Sequence, residues 1–244
     1  MDVVSICPGN GWSVMALKKD GTVWKFKNEM NREGWYIGPV EQFKELTGVR
    51  SMCSAYFEGI GQVNAMVRND GTVWTWEDLS PTKHTVSKVE NLSGITSVCV
   101  GNTHFSALKK DGTVWTWGSN LKGQLGDDTY ERDKPAMVKG LSGITAIAAG
   151  EAHTLALKND GTVWAWGDNY FSQLGNGGHM SGSSKPVQVK GINNAVKVFC
   201  CENYSVVLTK DGAVWVFGEN YFGQHGDGTE TAVCRPVLTG VTCK

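Results

Sequence analysis

Apolar and polar positions alternate along most of this chain, and they do so on either side of a recurring Asp-Gly pair. In Thr162–Trp166, Val163 and Ala165 point to one side of an extended strand and Trp164 and Trp166 to the other. Both sides are apolar or small, which predicts a strand covered on both faces. A second apolar run, Ala152–Lys158, lies just upstream. Asp-Gly between two such runs predicts a hairpin closed by a two-residue type I′ turn, because Gly tolerates positive φ. The same phrase occurs five times, at Asp20–Phe26, Asp70–Trp76, Asp111–Trp117, Asp160–Trp166 and Asp211–Phe217. Its Asp residues lie 50, 41, 49 and 51 positions apart (70−20, 111−70, 160−111, 211−160).

Self-similarity at that period indicates a stacked repeat architecture. The fourth copy shows the whole unit: a first strand in Gly143–Gly150, a second in Glu151–Lys158, a third in Thr162–Gly167, a turn at Asp168–Gly175 and a fourth strand at Pro186–Val189. A four-stranded sheet sandwiched between copies of itself is a β-propeller blade. The fold expected is therefore all-β, a propeller of five repeats of about 49 residues (244/5), closing into a five-bladed ring. The repeats fall at about 3–47, 48–93, 94–142, 143–193 and 194–240 within one domain, and 241–244 look like the start of a closing strand. Trp74, Trp115 and Trp164 are expected to be buried at equivalent positions of successive blades.

The run GITAIAAGEAHTLALKNDGTVWAWGDN (143–169), followed by SQLG, resembles the repeat of the regulator of chromosome condensation family. The resemblance covers nearly the whole chain and is most specific in copies three to five, where hairpin, W-G-x-N and a GQLG-like turn recur in order. It implies a propeller, usually of seven blades, and a protein-binding role. Some members are exchange factors for a small nuclear GTPase, and a bacterial member inhibits a β-lactamase by capping its active-site face. The terse DGTVWTWG style is closer to the bacterial members. Copies one and two depart from the pattern: they carry Lys27–Gly38 and Glu77–Ser87 in place of the GQLG turn, and copy two has an insertion at Ala55–Gly61.

Charge narrows the function. Twenty-three basic against 24 acidic residues leave a net charge of −1, so no basic field exists to hold nucleic acid or an anionic membrane. No apolar run approaches the ~20 residues of a spanning helix, so no membrane insertion is expected. The start, MDVVSICPGN, shows no basic segment followed by an apolar core, and a cytoplasmic location is expected. Of seven cysteines, Cys7, Cys53 and Cys99 share one repeat position with Ala148 and Phe199, which reads as a core position holding reduced thiols.

Candidate chemistry is sparse. His104 and His153 share a position with Trp12 and Tyr204, so packing with one hydrogen bond is expected rather than a metal site. The five Asp residues of the Asp-Gly turns are explained by the turns. Gln124, Gln173 and Gln224 are expected to tie their loops together. Tyr170-Phe171 and Tyr221-Phe222 are expected to pack within the turns. No nucleophile elbow, zinc-protease, phosphate-loop or dinucleotide motif is present, so neither catalytic residues nor a cofactor is expected. The residues that repetition leaves unexplained are Trp35 and Tyr36 in copy one and Tyr56 and Phe57 in copy two, expected in loops. Exposed loop aromatics on a rigid scaffold are typical interface anchors. They, with Arg32 beside Glu29 and Glu33, form the expected partner-binding site. The function expected is non-catalytic protein binding, inhibitor- or adaptor-like. The alternatives are a lectin-like propeller holding a sugar or small ligand, and a guanine-nucleotide exchange factor.

Overall fold

The computed structural model describes residues 2–8, 13–31, 34–57, 61–80 and 83–242, some of them, including 27–31, 34–37 and 56–57, by their backbone only. Every regular element among them is a strand. The first sheet holds β1 (Val3–Pro8), β2 (Ser13–Lys18), β3 (Val23–Asn31) and β4 (Gly34–Gln42). The second holds β5 (Val49–Phe57), β6 (Gly61–Arg68), β7 (Val73–Ser80) and β8 (Lys83–Lys88). The third holds β9 (Ile95–Val100), β10 (His104–Lys109), β11 (Val114–Ser119) and β12 (Glu131–Met137). The fourth holds β13 (Ile144–Ala149), β14 (His153–Lys158), β15 (Val163–Gly167) and β16 (Ser183–Gln188). The fifth holds β17 (Ala195–Cys201), β18 (Tyr204–Thr209), β19 (Ala213–Gly218) and β20 (Val233–Thr242). In all five, strands adjacent in sequence are adjacent in the sheet, the up-and-down order of a propeller blade. The chain divides into two compact units, Met1–Asn102 and Thr103–Lys244.

The repeated hairpin forms where the alternation places it, but its turn is not type I′. Only the Gly has positive φ (80° at Gly21, 77° at Gly71, 81° at Gly161), and the Asp before it does not. Gly21 N donates to Lys18 O at 3.0 Å, and Lys18 N to Thr22 O at 2.9 Å. This is a three-residue loop, a type I turn followed by a left-handed Gly. Asp20 Oδ1 accepts from Thr22 N and Thr22 Oγ1, and copies two to four repeat the pattern. Those bonds hold the exposed turn carboxylates below their usual range, with Asp160 at about 2. The Gly also faces the next sheet. A Cβ on Gly161 would sit 2.6 Å from Asn193 O, and its carbonyl accepts Ala195 N at 3.0 Å. Glycine is required there for close approach as well as for φ.

Where two successive sheets of one unit pack together, the first presents its forward face and the second its backward face. In the first unit, Met15, Leu17 and Val23 on the forward face of sheet one pack with Met52, Met66 and Trp76 on the backward face of sheet two. In the second unit, Leu155, Leu157 and Val163 of sheet four pack with Val198, Val207 and Phe217 of sheet five. The fully buried aromatics are the last of each phrase: Trp76, Trp117, Trp166 and Phe217 are 2, 6, 0 and 0% exposed. Trp74, Trp115 and Trp164, expected in the core, are only half-buried. Their indole Nε1 donates to the turn Thr Oγ1 at 2.9, 3.1 and 3.3 Å. Arg68 and Lys109 lie over the first two rings, at 4.1 and 5.7 Å. These rings seal the rim of each sheet beside its turn, where one face meets water.

The shared cysteine position is real in register: Cys7, Cys53, Ala148 and Phe199 pair with Met15, Ala65, Leu155 and Val206. It is not uniformly core, because Phe199 is 50% exposed. Residues 241 and 242 run on from the fourth strand of sheet five, Thr242 pairing with Ala213, and 243–244 lie outside the described residues.

Candidate protein-binding surface

In an up-and-down four-stranded sheet, the connections between strands one and two and between strands three and four emerge at one end. The Asp-Gly turn emerges at the other. In sheets three to five, the three–four connection starts at a Gly: Gly118, Gly167 and Gly218, with φ of 104, 107 and 113°. A Cβ on Gly167 would lie 2.4 Å from Ala152 O. The chain turns there, and a buried Asn organises the loop beyond the turn. Asn120, Asn169 and Asn220 Oδ1 accept the backbone N–H of Leu125, Leu174 and His225 at 2.8, 3.0 and 2.8 Å. Their Nδ2 groups reach back to carbonyls across the loop, as from Asn169 to Gly178 O and Ser181 O, both at 3.2 Å. Gln124, Gln173 and Gln224 Oε1 accept the N–H of Lys122, Phe171 and Phe222 at 2.8, 2.9 and 2.9 Å. The glutamines thus tie the loops as the sequence implies.

This bracing carries the first two of the three residues between Asn and Gln over the outside of the loop. Leu121, Tyr170, Tyr221 and Phe222 are 64, 55, 59 and 86% exposed. Phe171 is half-buried between two rings, edge-on to Tyr170 at 4.9 Å and to Tyr221 at 5.8 Å. Tyr170, Phe171 and Tyr221 therefore form a continuous aromatic row across sheets four and five, extended by Phe222. The sequence predicts these rings packed inside the turns, and the structure corrects that expectation. The core slot of each loop is taken by Leu125, Leu174 or His225, all 0% exposed. The available signal was Lys122, a charged residue at the position of Phe171 and Phe222.

Beneath the row lies a buried polar seam. His104 Nε2 sits 2.9 Å from Thr154 Oγ1, and His153 Nε2 2.9 Å from Ser205 Oγ. Burial depresses both imidazoles, to about 4 and about 3, so both are neutral at pH 7. Each makes the single side-chain hydrogen bond expected of a packing histidine. Among the described residues, no three His, Cys, Asp or Glu side chains come together to hold a metal ion.

The expected anchors occupy the corresponding end of sheets one and two. Trp35 and Tyr36 lie on β4, opposite Met30 and Glu29, and Tyr56 and Phe57 end β5, opposite Gln62 and Gly61. They stand on strands, not in loops, a second correction. The position of Gly118 is Lys27 in copy one and Glu77 in copy two, both inside the third strand. A side chain there disfavours the left-handed turn, so the hairpin continues outward. The side chains of Trp35, Tyr36, Tyr56 and Phe57, and the whole of Arg32, lie outside the described residues.

Two models of the regulator of chromosome condensation (RCC1) repeat match the chain, one at 95–124, 144–173 and 195–224, the other at 111–157 and 160–208. A search of curated sequences returns no match. Among solved structures, Prp20p of Saccharomyces cerevisiae is similar over 98% of this chain and 64% of its own, at 18% identity and a TM-score of 0.73. Human WBSCR16 is similar over 97% of this chain and 66% of its own, at 19% identity and a TM-score of 0.74. The chain thus spans about two thirds of these propellers' length, and the likeness extends to its first two sheets, which the repeat models leave unmatched. Together the repeat matches span residues 95–224, more than half of the sequence, and the chain belongs to the regulator of chromosome condensation repeat family.

Proposed function

We propose that this chain is a non-catalytic, inhibitor- or adaptor-like propeller that binds a partner protein through the ends of its sheets opposite the Asp-Gly turns. The observation that carries the reading is the exposed row Tyr170–Phe171–Tyr221, held out by buried Asn and Gln bracing. Aromatic rings on a rigid frame bury large area at low entropy cost, the usual composition of interface hot spots. In the first two sheets, Trp35, Tyr36, Tyr56 and Phe57, whose backbones lie at the corresponding end, supply further anchors, and Arg32, near them in sequence, supplies a charged contact. The binding properties of Prp20p toward Gsp1p and histones support a protein as the partner class.

The test is affinity capture from the native organism with the whole chain, followed by titration of the captured protein. Tyr170→Ala and Tyr221→Ala are each expected to weaken binding by about 2 kcal/mol, near 30-fold, with unchanged thermal stability. Full affinity in the double variant would overturn the assignment of the row. Capture of glycans and no protein would replace the reading with a lectin.

A further inference from the structure

Copies four and five depart from copy three at the same end of the sheet and in the same sense. The loop framework is shared, with Gly118, Gly167 and Gly218 at the turn and Asn120, Asn169 and Asn220 as the brace. The positions around it differ. Where copy three has Asn102 and Ser119, copy four has Glu151 and Asp168, and copy five has Glu202 and Glu219. Where copy three has Leu121 and Lys122, copy four has Tyr170 and Phe171, and copy five has Tyr221 and Phe222. The fold closes the loop of copy three without a carboxylate or a ring at these positions. Their joint appearance in the next two copies is therefore not a requirement of the blade.

Backbone contacts gather the carboxylates beside the aromatic row. Asp168 N donates to Ala152 O at 2.8 Å and Glu219 N to Asn203 O at 3.0 Å, so each sits against the strand one–two connection of its own sheet. Glu151 N donates to Glu202 O at 2.7 Å, which joins the two connections. Glu202 and Glu219 face one phenol: Tyr204 is pushed up to about 12, first by its hydrogen bond with Cys201 and by burial, and further by the charges around it, these two carboxylates among them. Asp168 is engaged by Lys122 at 3.8 Å and by Gln173 at 3.2 Å. Glu202 is exposed, and neither it nor Glu219 forms an ion pair among the described residues.

We infer that the partner surface seated on the row is basic: an extended Lys- or Arg-rich segment of a protein, lying over the exposed rings with its charge met by Glu202 and Glu219. The inference rests on the row being a contact surface, and it names the chemistry of what the row contacts. Cations are attracted to aromatic faces. The chain already uses this contact, with Lys18 4.6 Å from the Trp24 ring and Arg68 4.1 Å from that of Trp74. The long apolar stems of Lys and Arg cover ring surface while their heads reach the carboxylates. Carboxylates beside the rings steer such a segment in and fix its register, and the same charges repel an anionic partner.

The probe is a fluorescein-labelled peptide alternating Arg and Ser, with a Glu–Ser peptide of equal length as its counterpart, each titrated with the whole chain by fluorescence anisotropy. The wild type is expected to bind the Arg peptide, more weakly as salt rises, and not the Glu peptide. Glu202→Gln/Glu219→Gln, which keeps side-chain shape, is expected to weaken binding about five- to tenfold. The exposed reversal Glu202→Lys repeats the test should the double variant fail to fold. Glu45→Gln/Glu90→Gln removes the same charge from exposed positions of the first unit and is expected to change nothing. Equal weakening by that control overturns the inference, and so does a wild type that binds both peptides alike or neither. Tyr170→Ala/Tyr221→Ala is expected to weaken the Arg peptide as well. Tyrosine dependence without carboxylate dependence overturns the basic partner and leaves the row standing. Carboxylate dependence without tyrosine dependence removes the row, and the inference with it.

Discussion

His153 Nε2 lies 2.9 Å from Ser205 Oγ, which in turn donates to the Gln173 carbonyl at 2.9 Å. With its proton committed to Gln173, the serine accepts from His153, which fixes the Nε2–H tautomer. Nδ1 is then a buried acceptor with no hydrogen-bond partner. Gly150 makes the room: a Cβ there would be 2.6 Å from Nδ1. Protonation would add a charge at Nδ1, buried with no acceptor beside it, while the Nε2–H bond from sheet four to sheet five would remain.

Acid is therefore expected to loosen the second unit. The folded-state pKa values of His104 and His153, about 4 and about 3, lie below the ordinary 6.5. Below pH 6.5 the unfolded chain takes up the protons first, so stability present at pH 7 is lost as pH falls toward the folded values. At pH 5 the loss is about 2 kcal/mol for each histidine. Urea unfolding at pH 7 and pH 5 measures it. His153→Gln is expected to flatten the pH dependence, and a slope identical to wild type would refute the role of the seam.

The two tryptophans of the repeated phrase are expected to separate in energy. Trp166 is fully buried and its indole Nε1 donates to Gln124 O at 2.9 Å. Trp166→Ala is expected to cost about 3–5 kcal/mol. Trp164, half-exposed and bonded to Thr162, is expected to cost no more than about 2 kcal/mol. Equal losses in denaturant titrations would contradict this division of the rim from the core.

Asn169 links stability to binding. Asn169→Ala removes the bonds to Leu174 N, Gly178 O and Ser181 O and leaves buried groups unpaired. A loss of about 2–3 kcal/mol is expected. Amide exchange across 170–182 should rise, and partner affinity should fall although no contact ring has been changed. Protection unchanged from wild type would show that the loop is held by other means.

The thiols are expected to sort by burial. Burial pushes Cys7 up to about 12 and also raises Cys53 and Cys200, whereas Cys201 is exposed. Since the thiolate is the reactive form, a thiol reagent at pH 8 should label Cys201 well before the other three. Rapid labelling of Cys7 in the native protein would count against its packing beneath sheet two.

In the first two sheets the test is a Trp35→Ala/Tyr56→Ala double variant. Weakening of partner binding by about 2 kcal/mol or more, with the melting temperature kept, is the expected outcome. Wild-type affinity would confine the site to the aromatic row.

What the chain's own letters determined is the repeated, local part of the structure. The five Asp-Gly hairpins, the strand alternation and the Asn and Gln bracing depend on residues a few positions apart, so their chemistry is written side by side. Even there, the choice between a type I′ turn and a type I turn with a left-handed Gly depended on how Lys18 pairs with Thr22. Tertiary structure alone decided what each face meets. Ile6 and Met52 occupy the same repeat position with similar apolar character, yet one is 70% exposed and the other 7%. Trp164 and Trp166 share one face of one strand, yet the sheet rim passes between them. Tyr170 points outward because Leu174 already fills the core slot of its loop. Burial belongs to a pair of surfaces, and a strand's sequence specifies only its own side of that pair.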